Sequence, residues 1–323
     1  MSRESNGAMP ESTAISVREL SRSFPGVKAV ERLSIEVKYG EIFGLVGPDG
    51  AGKTTTMRIL AGVLMPDSGS AEVAGFDVVR DPERVKQEIS YMSQRFGLYE
   101  DLTVDENIRF YAEVFGVKRA AYGERSERLL QAAEMQEFRK RLAGKLSGGM
   151  KQKLGLICAL IHTPRVLLLD EPTNGVDPVS RRDFWKILYS LLGEGVAILT
   201  STAYLDEAER CHRVALMHEG RLLFCDEPDA LKKTLRNKVI AISTVDPRGT
   251  RTAIEKVEGV HSVVLVGDGV HLLVDDAARA IPKLRQLLDA AQVKYAAVEA
   301  VTASLEDVFV NAVEGDAGVP HER

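Results

Sequence analysis

Long apolar runs are missing from this chain of 323 residues. The best, Leu154 to Ile161, gives way to His162, Pro164 and Arg165, well short of the ~18 residues that cross a bilayer. Nor does the opening MSRESNGAMPEST hold the apolar core of a signal peptide. Any membrane role is therefore expected to run through a partner. Cysteine is scarce as well. Cys158, Cys211 and Cys225 are odd in number and share no metal-type spacing, which excludes a disulfide framework and points to a reducing compartment. Positive charge is not in excess either: 42 Lys and Arg against 47 Asp and Glu leave a net charge of -5. That balance argues against a nucleic-acid partner, which would need a clustered basic surface.

What is present is a globular composition, 45% hydrophobic and 28% charged, which excludes collagenous and wholly disordered chains. At ~150 residues per domain the length predicts about two domains. Residues 1–13 read as a disordered tail. From Ala14 short β-type runs (AISVREL, LSIEVK, EIFGLVG) alternate with turns before a helix begins. Residues 101–142 read as helical, opened by a capping box of Thr103 and Glu106. RVLLLDEP and VAILTST read as buried strands, and VALMHEGRLLFCDEP as a hairpin around Glu219-Gly220. Past Leu235 the pattern becomes β-α-β-β-α-β, with helices near 250–258 and at 277–291 and a hairpin around Gly267-Asp268-Gly269. That order predicts a small ferredoxin-like unit closed by a helix at SLEDVFVNAV.

Three motifs carry chemistry. Residues 47–54, GPDGAGKT, follow a strand and precede a helix. A glycine-rich loop there lets successive backbone N–H groups converge on phosphate oxygens at a helix N-terminus, where the dipole also favours an anion. Gly47, Pro48, Asp49, Gly50, Ala51, Gly52, Lys53, Thr54 and the following Thr55 are the expected nucleotide cradle. Lys53 faces the β- and γ-phosphates and the Thr54 hydroxyl faces Mg²⁺. A chain this long matches the pattern by chance only about once in a hundred.

The second motif is VLLLDEP at 166–172. An acid ending a buried strand is costly unless it serves a cation. Asp170 suits the Mg²⁺ water shell, and Glu171 suits the orientation or deprotonation of an attacking water. The third is LSGGMKQ at 146–152. Ser147 is an N-cap, and Gly148 and Gly149 are expected to leave the helix tip open, offering a hydroxyl and bare N–H groups to a second phosphate contact.

Together these motifs resemble the ABC transporter ATPase family over residues 14 to about 235: Walker A at 47–54, signature at 146–152, Walker B at 166–171. The resemblance implies a P-loop NTPase of the ABC cassette type, α/β with a mixed β core and an α-helical signature subdomain at about 95–163. The small ferredoxin-like α+β domain at 236–323 is similar to a regulatory extension of one exporter branch. By position, Phe24 in SRSFPG would stack on adenine, Gln94 in YMSQ would sense Mg²⁺ and couple to the membrane partner, and Asp177 in NGVDP would cross a dimer interface. More narrowly, GPDGAGKTT, QRFGLYEDLTVDEN, LAGKLSGGMKQKLGL and STAYLDEAE resemble ATPases of ABC-2 type exporters, especially the N-terminal half of a tandem bacterial multidrug-efflux ATPase. The resemblance implies ATP and Mg²⁺ as ligands and ABC-2 permeases and a second ABC ATPase domain as partners. It also implies a cytoplasmic, peripheral position on the inner (plasma) membrane.

One departure stands out. Where the family places a histidine against the γ-phosphate and attacking water, ILTSTAYLDEAE places Ala203. Alanine cannot make that contact, while His162 and His212 read as surface residues elsewhere. The implied consequence is a slow site and an asymmetric dimer whose partner supplies the histidine. The alternative is a soluble or regulatory ABC ATPase that binds ATP with little turnover. Asp49 and Val176 replace the family's more usual Asn and Leu.

Overall fold

The computed structural model describes residues 13–316 apart from 95, 96, 236, 256 and 268. Of the tail predicted at 1–13, residues 1–12 lie outside the described residues, and Thr13 instead belongs to a strand, paired with Lys38. By contacts the chain divides into two units, 1–204 with 211–222, and 205–210 with 223–323.

The first unit runs β1 (Thr13–Phe24), β2 (Val27–Lys38), β3 (Ile42–Val46), α1 (Lys53–Leu60), β4 (Ser68–Val73), β5 (Phe76–Asp77), α2 (Pro82–Glu88) and β6 (Ile89–Met92). It continues with α3 (Val104–Val114), α4 (Arg119–Ala132), α5 (Gly148–Leu160), β7 (Val166–Asp170), α6 (Pro178–Leu192) and β8 (Ala197–Thr202). After α7 (Leu205–Ala208) come β9 (Arg213–His218) and β10 (Arg221–Asp226). One sheet has the order β2-β1-β4-β5 and is antiparallel. The other has the order β10-β9-β3-β8-β7-β6, with β9, β3, β8, β7 and β6 all parallel. Every residue of β3, β7 and β8 is buried, as expected of central parallel strands covered on both faces. Because β3, β7 and β8 are neighbours and parallel, the loops after Val46, Asp170 and Thr202 leave one end of the sheet together, the usual place for a ligand in such folds.

The stretch expected to be helical over 101–142 is broken. α3 ends in Phe115 and Gly116, the latter at φ 67°, a backbone geometry that glycine tolerates at a helix end. α4 starts at Arg119, and two single-turn helices at Gln136–Phe138 and Ala143–Lys145 precede α5. The Thr103–Glu106 capping box is present in both directions. Behind it, Asn107 is fully buried and clasps the preceding loop: its amide donates to the carbonyls of Tyr99, Leu102 and Thr103, and its Oδ1 accepts from Tyr99 N.

The second unit continues with α8 (Pro228–Thr234), β11 (Lys238–Thr244), α9 (Pro247–Ile254), β12 (Val260–Val266), β13 (Gly269–Val274), α10 (Ala277–Ala290), β14 (Tyr295–Val301) and α11 (Leu305–Asp316). Its antiparallel sheet has the order β12-β13-β11-β14, the ferredoxin-like arrangement read from the pattern. α9 sits a few residues earlier than expected, because Asp246 caps it through Gly249 N and Pro247 occupies its first turn. α7 and α8 pack on α11 and so belong with this unit, although both precede residue 236. Ile240, Ile242, Ile254, Leu272, Leu284 and Leu288 form its core. Asp307 of α11 is buried, yet its carboxylate is held below the usual range. Burial alone would raise its pKa, but His271 and the Ser304 cap more than offset that.

Replacing Asn107 by Ala removes the side-chain donor from three carbonyls that keep their backbone donors, and takes the acceptor from Tyr99 N–H. We expect a loss of about 1 to 3 kcal/mol in chemical unfolding, the cost of one unsatisfied group with partial relaxation. The chain's single tryptophan, Trp185, is buried in α6 and reports on this unit by fluorescence. A loss below about 0.5 kcal/mol would mean the loop's polar groups find water instead.

Candidate nucleotide site

The loop from Gly47 to Gly52 is shaped by what cannot fit there. A Cβ on Gly47 would lie 2.2 Å from Met217 O, and one on Gly52, whose φ is 102°, would lie 2.2 Å from Ala29 O. Both positions therefore demand glycine. Lys53 opens α1 and is 3% exposed; its Nζ donates to the carbonyls of Gly47 and Pro48 at 2.8 and 3.0 Å and pairs with Glu171 Oε1 at 3.2 Å. Thr54 Oγ1 donates to Asp170 Oδ1 at 3.1 Å.

Asp170 ends β7 at 1% exposure, and two further hydroxyls reach it. Ser201 Oγ donates to Oδ1 at 2.7 Å and Tyr91 OH to Oδ2 at 3.3 Å. Burial, and then the charge of Asp170, push the Tyr91 phenol up to about 12, so it stays a donor. Glu171 follows at φ 49°, a left-handed backbone that costs a non-glycine residue ~1–2 kcal/mol. Its N–H is anchored by the carbonyl and hydroxyl oxygens of Ser201 at 3.2 and 3.0 Å. Its Oε2 accepts from Gln94 Nε2 at 3.1 Å and Asn174 Nδ2 at 3.3 Å.

Phe24, Asp49, Gly50, Ala51, Gly52, Lys53, Thr54, Thr55, Gln94 and Glu171 line one cavity of about 460 Å³. Phe24 is partly exposed at its rim, with the Arg22 guanidinium 5.0 Å from the ring centre. A smaller cavity of about 190 Å³ adjoins Glu171 and is lined also by Thr173, Asn174, Thr202, Ala203 and Tyr204. Ser147, Gly148, Gly149 and Asp177 line neither. Ser147 caps α5 through Met150 N at 3.3 Å, and Asp177 caps α6 through the N–H groups of Val179 and Ser180. Those bonds, Ser180 foremost, hold the exposed Asp177 carboxylate below its usual range.

The two signature glycines turn out unalike. A Cβ on Gly148 would meet nothing within 4 Å, whereas one on Gly149 would lie 2.3 Å from Ser180 Oγ. Gly148 keeps the helix tip open as expected; Gly149 is instead needed for close packing on α6. His162 is also misjudged by sequence. It is partly buried, stacked on Phe115 at 3.8 Å with Nε2 3.1 Å from Ile89 O, and burial lowers its pKa. His212 is exposed, with Nδ1 accepting from Ile42 N.

The chain belongs to the ABC transporter ATP-binding proteins. A family model described as ABC transporter matches residues 30–174, and one described as the C-terminal domain of DrrA1-3-like ATP-binding proteins matches 227–313. The chain is 36% identical to Nod factor export ATP-binding protein I of Paraburkholderia xenovorans (strain LB400), over 94% of this chain and 97% of that protein. It is 48% identical over 269 residues to a probable multidrug ABC transporter ATP-binding protein, YbhF, of Escherichia coli (strain K12). That match covers 82% of this chain but only 46% of the Escherichia coli protein, so the chain spans about half the length of that relative. Among solved structures, an ATP-binding subunit of an ABC transporter superposes with a TM-score of 0.63 at 30% identity, covering 69% of this chain and 93% of that one.

Within this ABC cassette, sequence reasoning passed over Tyr91, Asn174, Ser201 and Tyr204. All four lie within quoted motifs or beside them, in YMSQ, EPTNG and LTSTAY. Only the tertiary contacts give them partners.

Lys53→Ala removes the buried cation beside the loop. We expect ATP affinity of the purified protein to fall by about tenfold or more, the loss of a charge-assisted hydrogen bond. Unchanged affinity by equilibrium binding would overturn the cradle assignment.

Proposed function

We propose that the chain is the ATP-hydrolysing subunit of an ABC-2 type exporter, peripheral on the cytoplasmic face of the membrane and docked on permease subunits. The convergence of Lys53, Thr54, Gln94 and Glu171 on one cavity, with Asp170 directly behind Thr54, carries this reading. The exporter names of its relatives support it. Among the described residues no helix is long and apolar enough to cross a membrane.

The donor set fits Mg²⁺. Thr54, Asp170 and Gln94 offer a hydroxyl, a carboxylate and an amide, whereas an all-protein cage of His, Cys, Asp and Glu is absent among the described residues. Mg²⁺ favours one or two carboxylates plus phosphate and water. When bound, it would neutralise charge on the phosphate oxygens. The chain's own residues do the rest. Backbone N–H groups of the 47–54 loop and Lys53 hold the phosphates, and Phe24 covers the base. Glu171 orients a water and takes its proton as the water oxygen attacks the terminal phosphorus and ADP leaves.

Ser147 and Gly148 sit away from this cavity, which supports a site completed by the signature tip of a second ATPase domain, with Asp177 at the interface. The Ala203 side chain supplies no polar atom beside Glu171. The missing contact costs ~3 kcal/mol, or about a hundredfold in rate. The site is therefore slow, and a histidine-bearing partner in a heterodimer supplies the fast one. Exposed Tyr99, Val114, Phe115 and Leu142 give the helical region an apolar surface for a permease segment, with Gly97 O held by Tyr111 OH at 2.7 Å. Phe96, in the same QRFGLYEDLTVDEN run, lies outside the described residues.

Glu171→Gln should retain ATP and block turnover, while Ala203→His should raise the turnover of the purified homodimer; ordinary transporter rates in the wild type, unchanged by Ala203→His, would remove the asymmetric reading. Cysteines placed between Gly97 and Phe115 should crosslink to a membrane subunit. Labelling confined to residues 236–323 would move the docking surface elsewhere.

A further inference from the structure

Among the described residues the Glu171 carboxylate meets Lys53 on Oε1, and Gln94 and Asn174 on Oε2. Two of these partners have other work in the proposed hydrolysis, since Lys53 faces phosphate and Gln94 faces the metal. Neither can be relied on to hold Glu171 once nucleotide is bound. Asn174 has no such second task. It sits three residues after Glu171, in a turn closed by its own N–H to Glu171 O at 3.2 Å. Its Oδ1 accepts from Tyr204 OH at 3.3 Å, and the Tyr204 ring carries the Arg181 guanidinium 4.8 Å from its centre. A side-chain amide has one acceptor end and one donor end. With the Tyr204 hydroxyl on Oδ1, Nδ2 is left directed at Glu171. Asn174, Tyr204 and Glu171 also line the small cavity beside Ala203, where the side chain at 203 contributes no polar atom.

We infer that Asn174, oriented by Tyr204, is a positioning residue that keeps Glu171 aimed at the attacking water when Lys53 and Gln94 engage the nucleotide. It sustains the turnover that remains with alanine at position 203. The step it serves is the proton transfer from water to Glu171 described above, and the inference rests on that hydrolytic reading.

The test is steady-state hydrolysis by the purified full chain, with ATP affinity followed separately through a fluorescent ATP analogue. Asn174→Ala should lower kcat about tenfold while KM and analogue binding stay within about twofold, the pattern of a misaimed base rather than a lost binding contact. Asn174→Asp keeps the shape and an acceptor for Tyr204 but turns the donor into a second carboxylate facing Glu171. It should be no better than Asn174→Ala. Tyr204→Phe should lower kcat about threefold, and adding it to Asn174→Ala should cost nothing further, because the two act through one contact. Wild-type kcat in Asn174→Ala overturns the assignment, as does full activity in Asn174→Asp, which would mean the side chain only fills the turn. Glu171→Gln separates the two levels. If it blocks turnover while Asn174→Ala is fully active, the assignment alone fails. If it hydrolyses ATP at the wild-type rate, Glu171 is not the base and the hydrolytic reading fails with it.

Discussion

A carboxylate at 1% exposure is tolerated only with hydrogen-bonding partners, and Asp170 is the point on which the site is built. Its three donors come from three places in the sequence: Thr54 on α1, Tyr91 on β6 and Ser201 on β8. Satisfying one buried charge thus brings the start of α1 and the ends of β6, β7 and β8 into register. Ser201 does double service, since it also anchors the N–H of Glu171 and so holds that residue in its left-handed backbone. The acid that would meet the metal and the acid that would meet the water are fixed by the same hydroxyl.

The arrangement also explains how Lys53 is accommodated in a buried position. Its ammonium is shared between two loop carbonyls and Glu171. Removing one partner of such a buried pair is far more damaging than the pair's net worth, so Lys53 and Glu171 stabilise each other while the cavity holds no phosphate. In the proposed site an arriving nucleotide would compete for the same ammonium. The interactions of Glu171 must then be redistributed, which is where its neighbours on the 171–174 turn and at the end of β8 acquire importance.

The second unit follows different physics. Its sheet and two helices close over an aliphatic core, and the buried carboxylate of Asp307 is matched by His271 and the Ser304 cap rather than presented to a cavity. That difference separates a packing element from a chemical one: Asp170 faces ligand-type donors beside a cleft, Asp307 closes a helix onto a strand. The boundary between the units was legible only approximately. The change of texture near residue 235 marks the start of β11, but α7 and α8 carry no compositional signal that they pack on α11.

The sequence alone determined the glycine-rich loop and the two adjacent acids at a strand end, because GPDGAGKT and VLLLDEP are local patterns readable from their spacing. It also determined the ferredoxin-like order of the second unit, through alternation and turn residues, and the presence of alanine at 203. The capping box at Thr103 was equally readable, being a contact between residues three apart. Tertiary structure alone decided which hydroxyls serve Asp170, that Gly149 is reserved for Ser180 while Gly148 is not, that His162 is sheltered under Phe115, and that Asn174 turns its amide toward Glu171. Each of these joins residues that the strand order brings together, or depends on which end of a side chain a distant partner occupies. Neither is written in any stretch short enough to be a motif.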